Sequence, residues 1–481
     1  MSARLRVLVT AFGTVPGPNA HSNALLGLAQ SLRADLDLVT LKTPSLAHQS
    51  RLGEARLFRV RVTGTAHEKR AAFARAVRRQ LEAEEYDVVH ARGAFEGLEA
   101  LPLREPMGFR FIYEVASFPD EAEGAEAEQA WSEAHLACLE AADLVLVGAE
   151  AAARALGERG FAGKVAVVSP GVNVDTYDWW PGSTDPAMLR VLYLGPFTQD
   201  RDIPTLLAGF RAATQRTPLR VLMAGEPMGE RRQALRRMVA AFGLSEQVTV
   251  RGEPRAVAIP SLIAACDVGI VGASWAPRFQ ELGDLPEPLL EYLACGRTVV
   301  AAGIPAVAEI VRDELEGLLY VPGDETSLAE ALVTLATDQP LRTRLTEAAY
   351  ARVRQRFGGG ARRRRMAEVY EMLVPGSQSY DAWLEAFEDE PGAGAPITGW
   401  AEIQAAPTPL PDAPTPAFDR TDQPRPPLPK PAPLSDTATS PQAPPPEAVP
   451  SPSEPVRDET AELPTTLTSV DTTPGLDLDE P

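Results

Sequence analysis

The sequence predicts an α/β protein made of two doubly wound parallel sheets that face a cleft, followed by an unstructured acidic tail. Three observations carry this expectation. Short β-branched runs alternate with segments of helical periodicity across residues 6–168, and the same alternation restarts after Pro181. Alternation of that kind implies a parallel sheet with helices on both faces. Beyond about residue 375 the composition changes, with 23 of the 45 prolines lying between Pro391 and Pro481 among Ser, Thr, Asp and Glu. Such a segment cannot bury enough apolar surface to offset its ordering entropy. The expected domains are residues 1–180, 181–375 and a tail over 376–481.

In the first half, strands are expected at 6–10, 36–41, 57–62, 87–90, 109–115, 144–147 and 165–168, each rich in Val, Ile, Leu or Phe. Residues 16–19, with two prolines, a glycine and an asparagine, read as a turn. Helices are expected at 23–32, 67–84 and 121–141. In the second half, strands are expected at 190–194, 219–224, 248–251, 268–271 and 298–301, with helices at 203–215, 230–242, 259–264, 285–294 and 327–337. A cleft between two such halves is a favoured place for a ligand.

Charge and cysteine content exclude some classes. The formal net charge is −20, and the tail from Ser377 onward holds 19 acidic against 4 basic residues. What remains is only mildly acidic, with no cationic excess to neutralise nucleic-acid phosphates, so no nucleic-acid partner is expected. The three cysteines, Cys138, Cys266 and Cys295, have no metal-ligand spacing and suit a reduced, cytoplasmic setting. The opening RLRVLVTAFG reads as a first strand rather than a secretory leader, and nowhere do 18 apolar residues run together. A soluble or membrane-peripheral protein is expected.

The most informative stretch is LPEPLLEYLACGRTVVAA, residues 285–302. Leu289, Leu290, Leu293 and Ala294 surround Glu291 at helical spacing, so a carboxylate is carried on a largely buried helix just before a β-branched strand. A carboxylate placed there is costly unless something pairs with it. Read from the helix alone, it is either a capping or salt-bridged group or a ligand contact at a helix start. The stretch resembles the nucleotide-sugar motif of the retaining GT-B glycosyltransferases of family 4, the glycosyl transferases group 1. In that family a Glu at this place holds the donor's ribose.

The resemblance extends over about residues 4–370 and implies the GT-B fold, two Rossmann-like domains with an acceptor lobe first and a donor lobe second. Gly13 and Gly17, after the first strand, are similar to the family's glycine-rich loop, where backbone amides approach phosphate. YDVVHARG resembles the family's "DVVH" strand, with His90 at its end. A satisfied structural histidine and a functional one are both open for that residue. ADLVLVGAE and KVAVVSPGVNVDTY resemble the strands and loop that close the first lobe. VLYLGPFTQDRDIPTLLAGF resembles the strand, loop and helix that bring an Arg and a Lys onto the donor diphosphate. Gly195 matches, Arg201 stands where Lys is usual, and Pro196 occupies the family's Arg position. A guanidinium can grip phosphate oxygens in a fork, so Arg201 suits the role.

The family also places an acid eight positions before the second Glu; here that position is Gly283, with Glu281 two positions off. A looser branch has Lys three before the Glu, where this chain has Pro288. Either Glu281 or Glu287 is expected to contact the sugar. The His found in the cleft of many relatives corresponds to Ala116 or Ser117.

The resemblance implies transfer of a sugar, with retention, from a nucleotide sugar to a glycan or lipid-linked acceptor, in the manner of cell-surface polysaccharide synthesis. It implies no metal and no other cofactor: two charges develop on the leaving diphosphate, and cations and helix N-termini stabilise them. The competing expectation is a degenerate glycosyltransferase-like protein that binds a ligand or partner without turnover. One helix carries Lys69, Arg70, Arg75, Arg78 and Arg79. It is read either as a peripheral contact with an anionic membrane on the inner face of the cell or as a solvated helix face.

Overall fold

The computed structural model of the chain describes residues 5–15, 25, 28–29, 32, 34–44, 46–116, 118, 124–180, 188–225, 229–286 and 288–374. The chain divides into two units, Met1–Pro416 and Ala417–Pro481, and every described residue lies in the first.

That unit contains two sheets. The first holds β1 (Leu5–Thr14), β2 (Ala34–Leu41), β3 (Gln49–Leu52), β4 (Ala55–Val60), β5 (Val88–Ala91), β6 (Arg110–Glu114), β7 (Leu144–Val147) and β8 (Val165–Val167). Their order is β3-β4-β2-β1-β5-β6-β7-β8, and every neighbouring pair is parallel except the β3–β4 hairpin. The second holds β9 (Leu189–Leu194), β10 (Leu219–Ala224), β11 (Val248–Val250), β12 (Val268–Val271), β13 (Thr298–Ala302) and β14 (Leu318–Tyr320). Its order is β11-β10-β9-β12-β13-β14, parallel throughout. This is the GT-B architecture expected from the sequence.

Both sheets are covered on both faces, which is why their strands read as continuous apolar runs. In β1, Val7 and Val9 belong to one core layer while Leu8 belongs to the other. In each sheet the strand order reverses beside the first strand, at β1/β5 and at β9/β12. Ligands of doubly wound sheets lie outside the carboxyl ends of strands at such reversals.

The chain does not stay in the second lobe. The helix Gln339–Arg356 packs Leu345, Ala349 and Val353 into the second core. The next helix, Gly359–Leu373, instead buries Met366, Val369 and Tyr370 against Val7, Val9 and Leu38 of the first. At the crossing, the Val172 amide donates to the Phe357 carbonyl at 2.9 Å.

Some elements differ from expectation. The helix Ala94–Met107 was not expected, because Pro102 and Pro106 lie inside it. The helix carrying Glu291 begins at Pro288 rather than 285, since Pro286 and Pro288 suit a helix start and not its interior. The turn at 16–19 lies outside the described residues, as does most of the helix at 23–32, where residues 25, 28 and 29 are helical. Among the described residues, no helix is long and apolar enough to cross a membrane.

Candidate functional site

A cavity of about 150 Å³ lies between the lobes. Arg92, Glu114 and Asn173 line it from the first lobe and Arg362 from the crossing helix. Gly283, Asp284 and Glu291 line it from the second lobe.

The first-lobe wall is organised around Glu114, at the end of β6. Arg92, just past β5, donates to it through Nε at 2.7 Å and through Nη2 at 3.1 Å. Arg362 donates through Nη2 at 3.2 Å, while its Nη1 is held by the carbonyls of Val168 and Ser169 at 3.1 and 3.0 Å. His90, wholly buried at the end of β5, places Nε2 3.1 Å from the same carboxylate and Nδ1 2.9 Å from the Tyr370 hydroxyl. Burial pushes the His90 pKa down, so the ring is neutral, with Nε2–H donating to Glu114 and Nδ1 accepting from Tyr370. Burial works against ionisation of Glu114, but Arg92, His90 and Arg362 outweigh it and hold the carboxyl well below its usual range. His90 is thus a satisfied structural histidine, and Arg362 is a largely buried partner of Glu114.

The second-lobe wall rests on Tyr292. Its ring lies over Gly269, where a Cβ would come within 2.4 Å of it. Its hydroxyl donates to the Leu192 carbonyl at 3.0 Å and accepts from the Leu194 amide at 2.9 Å. These contacts fix the helix Pro288–Ala294 against the end of β9 and set Glu291, 8 % exposed, into the cavity wall.

Beside the cavity, Arg278 donates to Asp284 at 2.8 Å and to Asp200 at 2.8 Å, and lies 4.9 Å over the ring of Phe118 from the first lobe. A second contact between lobes involves Glu309, whose carboxylate accepts from the amides of Glu150 and Ala151 at 2.8 and 2.6 Å.

Of the residues expected in the donor site, Glu291 alone among those described lines the cavity. Gly195 follows β9 with φ 144° and bonds through its amide to the Ala224 carbonyl at 3.0 Å. Arg201 closes the short turn Gln199–Arg201 before the helix Ile203–Thr214, with its guanidinium 5.2 Å from the Phe279 ring centre. The Arg201 Nε is buried without a hydrogen-bond partner. Glu281 is exposed at the end of the helix Pro277–Gln280. Gly17 and Glu287 lie outside the described residues, as does Ser117.

Gly283 has a structural reason. It sits at φ +66°, and a Cβ there would come 2.7 Å from the Ala152 Cβ and 3.1 Å from the Ala149 Cβ. The family's acid cannot stand where this loop presses on the first lobe. Sequence reading missed the Glu114 cluster and the Asp200–Arg278–Asp284 group; the signal for the first was Arg92 two residues after the His90 that was noticed.

The basic helix, Ala66–Ala83, opens with a capping box of Thr65 and Glu68. Arg70 lies between the rings of Phe12 and Phe95, at 4.9 and 5.6 Å, and Arg78 pairs with Glu82 at 3.1 Å. Arg70 and Arg78 are therefore engaged within the protein.

Comparison with known proteins agrees with this geometry. The model of the "Glycosyl transferase 4-like domain" matches residues 17–171, and that of the "Glycosyl transferases group 1" matches residues 186–352. The chain is 32 % identical over 203 residues to a D-inositol 3-phosphate glycosyltransferase of Stackebrandtia nassauensis, covering 39 % of this chain and 44 % of that protein. It is 25 % identical over 184 residues to the alpha-D-kanosaminyltransferase of Streptomyces kanamyceticus, covering 38 % of this chain and 45 % of that protein. These matches span a little under half the length of the two relatives. Its fold is similar to that of Anabaena HepE, crystallised with UDP and glucose, at a TM-score of 0.60 and 17 % identity over 77 % of this chain and all of that one. With one family model on each lobe and the GT-B fold throughout, the chain belongs to the glycosyl transferases of group 1.

Proposed function

We propose that the protein moves a sugar from a nucleotide-sugar donor to a glycan or lipid-linked acceptor, with retention at the anomeric carbon and without a bound metal. Cell-surface polysaccharide synthesis is the proposed setting. The observation that carries the reading is Glu291, fixed by Tyr292 in the wall of a cavity whose opposite wall bears charged first-lobe groups. Glu291 would accept from the ribose hydroxyls and Arg201 would grip the diphosphate. Gly195 and Gly17 would let the backbone approach phosphate, and Glu281 or Glu287 would contact the sugar. The relatives' names point to different sugars and acceptors, so neither is carried over.

The chemistry asks for cations that bind more strongly as the leaving group departs. Losing one such donor typically costs on the order of a hundredfold in rate. The half-buried Arg201, with an unpartnered Nε, is suited to that work.

A second reading, a binding protein without turnover, is favoured by Gly283 and Pro196, where the family's acid and arginine are missing. One experiment separates the two. A panel of nucleotide sugars is screened for thermal stabilisation of the full chain, and release of nucleoside diphosphate is then measured for each that binds. A donor at 100 times its Kd adds about 2.7 kcal/mol to stability. Stabilisation with turnover supports the transferase, stabilisation without turnover supports the binder, and no stabilisation across the panel overturns the transferase and leaves the non-catalytic reading standing.

A further inference from the structure

A second cavity, of about 470 Å³, opens where the chain crosses back between the lobes. Its floor is apolar and belongs to the first lobe: Ala153, on the helix Glu150–Leu156, with Val165 and Val167 on the edge strand β8. The two valines lie on one face of that strand, and both remain half-buried. Phe357 and Ala361 border the cavity at the crossing itself.

The rim is cationic. Three arginines line it, Arg356, Arg362 and Arg365, against one acid, Glu150. Arg362 is engaged by Glu114 and two carbonyls, and Arg365 pairs with Glu368 at 2.8 Å. Arg356 differs from both. It is exposed, and among the described residues its guanidinium has no hydrogen bond or ion pair. The groups bonded to the lining do not change the sign. With Arg92 and Arg154 added there are five arginines, and with Glu114, Glu309 and Glu368 there are four carboxylates.

An apolar floor beside an unmatched cation suits a molecule with an apolar body and one acidic group, because each part meets its complement. At a water's share of about 30 Å³, the cavity holds roughly fifteen non-hydrogen atoms, the size of a bicyclic aromatic acid and well below a nucleotide sugar. The cavity also borders both lobes. Arg356 ends the helix that packs into the second core, while β8 belongs to the first sheet. Arg362 and Pro170 line this cavity and the one between the lobes alike.

We propose that this cavity is an effector site for a small amphipathic organic anion, with its acidic group on Arg356 and its apolar body on the floor of Ala153, Val165 and Val167. An occupant that touches both lobes favours the arrangement in which the Glu291 wall faces the Glu114 wall. It therefore strengthens binding between those walls. The site stands apart from the transferase reading; only its effect on a nucleotide in the cleft rests on that reading.

The test is calorimetric titration of the full chain with 2-naphthoate, with its neutral isostere 2-naphthamide, and with acetate, which lacks the apolar body. 2-Naphthoate should bind about tenfold or more tightly than either, and its affinity should fall with added salt. Arg356→Glu should abolish the preference for the acid. Ala153→Phe, which fills the floor, should lower the affinity about tenfold. Arg364→Glu makes the same charge change on an exposed neighbour that does not line the cavity, and should bind the acid much as the parent does. Equal binding of acid and amide, or an Arg356→Glu variant that binds the acid as the parent does, would overturn the site. So would equal losses in Arg356→Glu and Arg364→Glu, because the anion would then be held by the general charge of the surface. UDP should bind more tightly with 2-naphthoate present than without it; unchanged or weaker UDP binding would overturn the effector role. A chain that binds 2-naphthoate and no UDP would support the site and overturn the transferase reading alone. If Ala153→Phe fails to fold, Arg356→Glu, a change at an exposed residue, still decides.

Discussion

On the first-lobe wall of the cavity one carboxylate, Glu114, is held by three side chains that arrive from β5, the loop after it and the crossing helix. In the second lobe Glu291, on the cavity wall, and Arg201, away from it, stand on separate elements, a short helix and a strand-end turn. The first arrangement ties charge to the fold, since Arg362 enters only if the last helix has crossed back. The second leaves its charged groups on a frame that other residues maintain, Tyr292 above all. Substitutions on the first wall should therefore be felt as stability, and those on the second as binding.

The largest effect is expected at Glu114. Glu114→Gln leaves Arg92 and Arg362 buried with no carboxylate between them, and breaking a buried pair costs about 3–5 kcal/mol. Urea unfolding of the variant reads this directly; a loss below about 1 kcal/mol would mean that the cluster is solvated and that the contrast between walls is false. The sign with pH follows from the depressed Glu114 pKa. Its stabilisation is fully present above the ordinary carboxylate range and is lost only as pH falls through the lower folded value.

Next is Gly283, where the second lobe presses on the first. Gly283→Ala adds a Cβ at positive φ against Ala152 and should cost about 1–3 kcal/mol. Gly163→Ala meets nothing within 4 Å, needs no positive φ and serves as the control, with a change near zero. Equal melting temperatures for the two variants would show that the loop can leave the first lobe freely.

A comparable effect, visible only as a dependence on pH, is expected at Glu96, another buried first-lobe carboxylate, which Gly93 admits by having no side chain. Burial raises its pKa to about 7, against the pull of its own backbone amide and Arg70. A raised carboxylate pKa destabilises the fold as pH rises from the unfolded value through the folded one. Glu96→Gln removes that penalty, so its stability relative to the parent should improve by roughly 2–3 kcal/mol between pH 4 and pH 8. A pH-independent difference in the unfolding curves would show that Glu96 ionises normally.

These positions also mark how far the sequence is legible. Strands at 144–147, 219–224 and 268–271 lie where their β-branched runs predict, because both faces of a parallel sheet demand apolar residues in succession. The helix Ala94–Met107 is hidden by its two prolines, a case where packing overrides local preference. Glu291 is readable because its apolar neighbours and its motif sit within one helix. The Glu114 cluster is not, since its partners are 22, 24 and 248 residues away in sequence. Gly283 looks like a lost acid in the sequence, and only the Ala152 contact explains why no side chain fits there.

The contrast between walls, and with it the transferase reading, is tested most directly by calorimetric binding of a nucleotide sugar to the parent protein, Arg201→Ala and Glu291→Gln, with the melting temperature taken on each. Glu291→Gln keeps the shape and loses the charged acceptor, and Arg201→Ala removes the cation. Both should weaken the donor by about tenfold or more, with melting temperatures close to that of the parent. A parent that binds no nucleotide sugar, or variants that bind it unchanged, would contradict the assignment of the second-lobe wall to the donor.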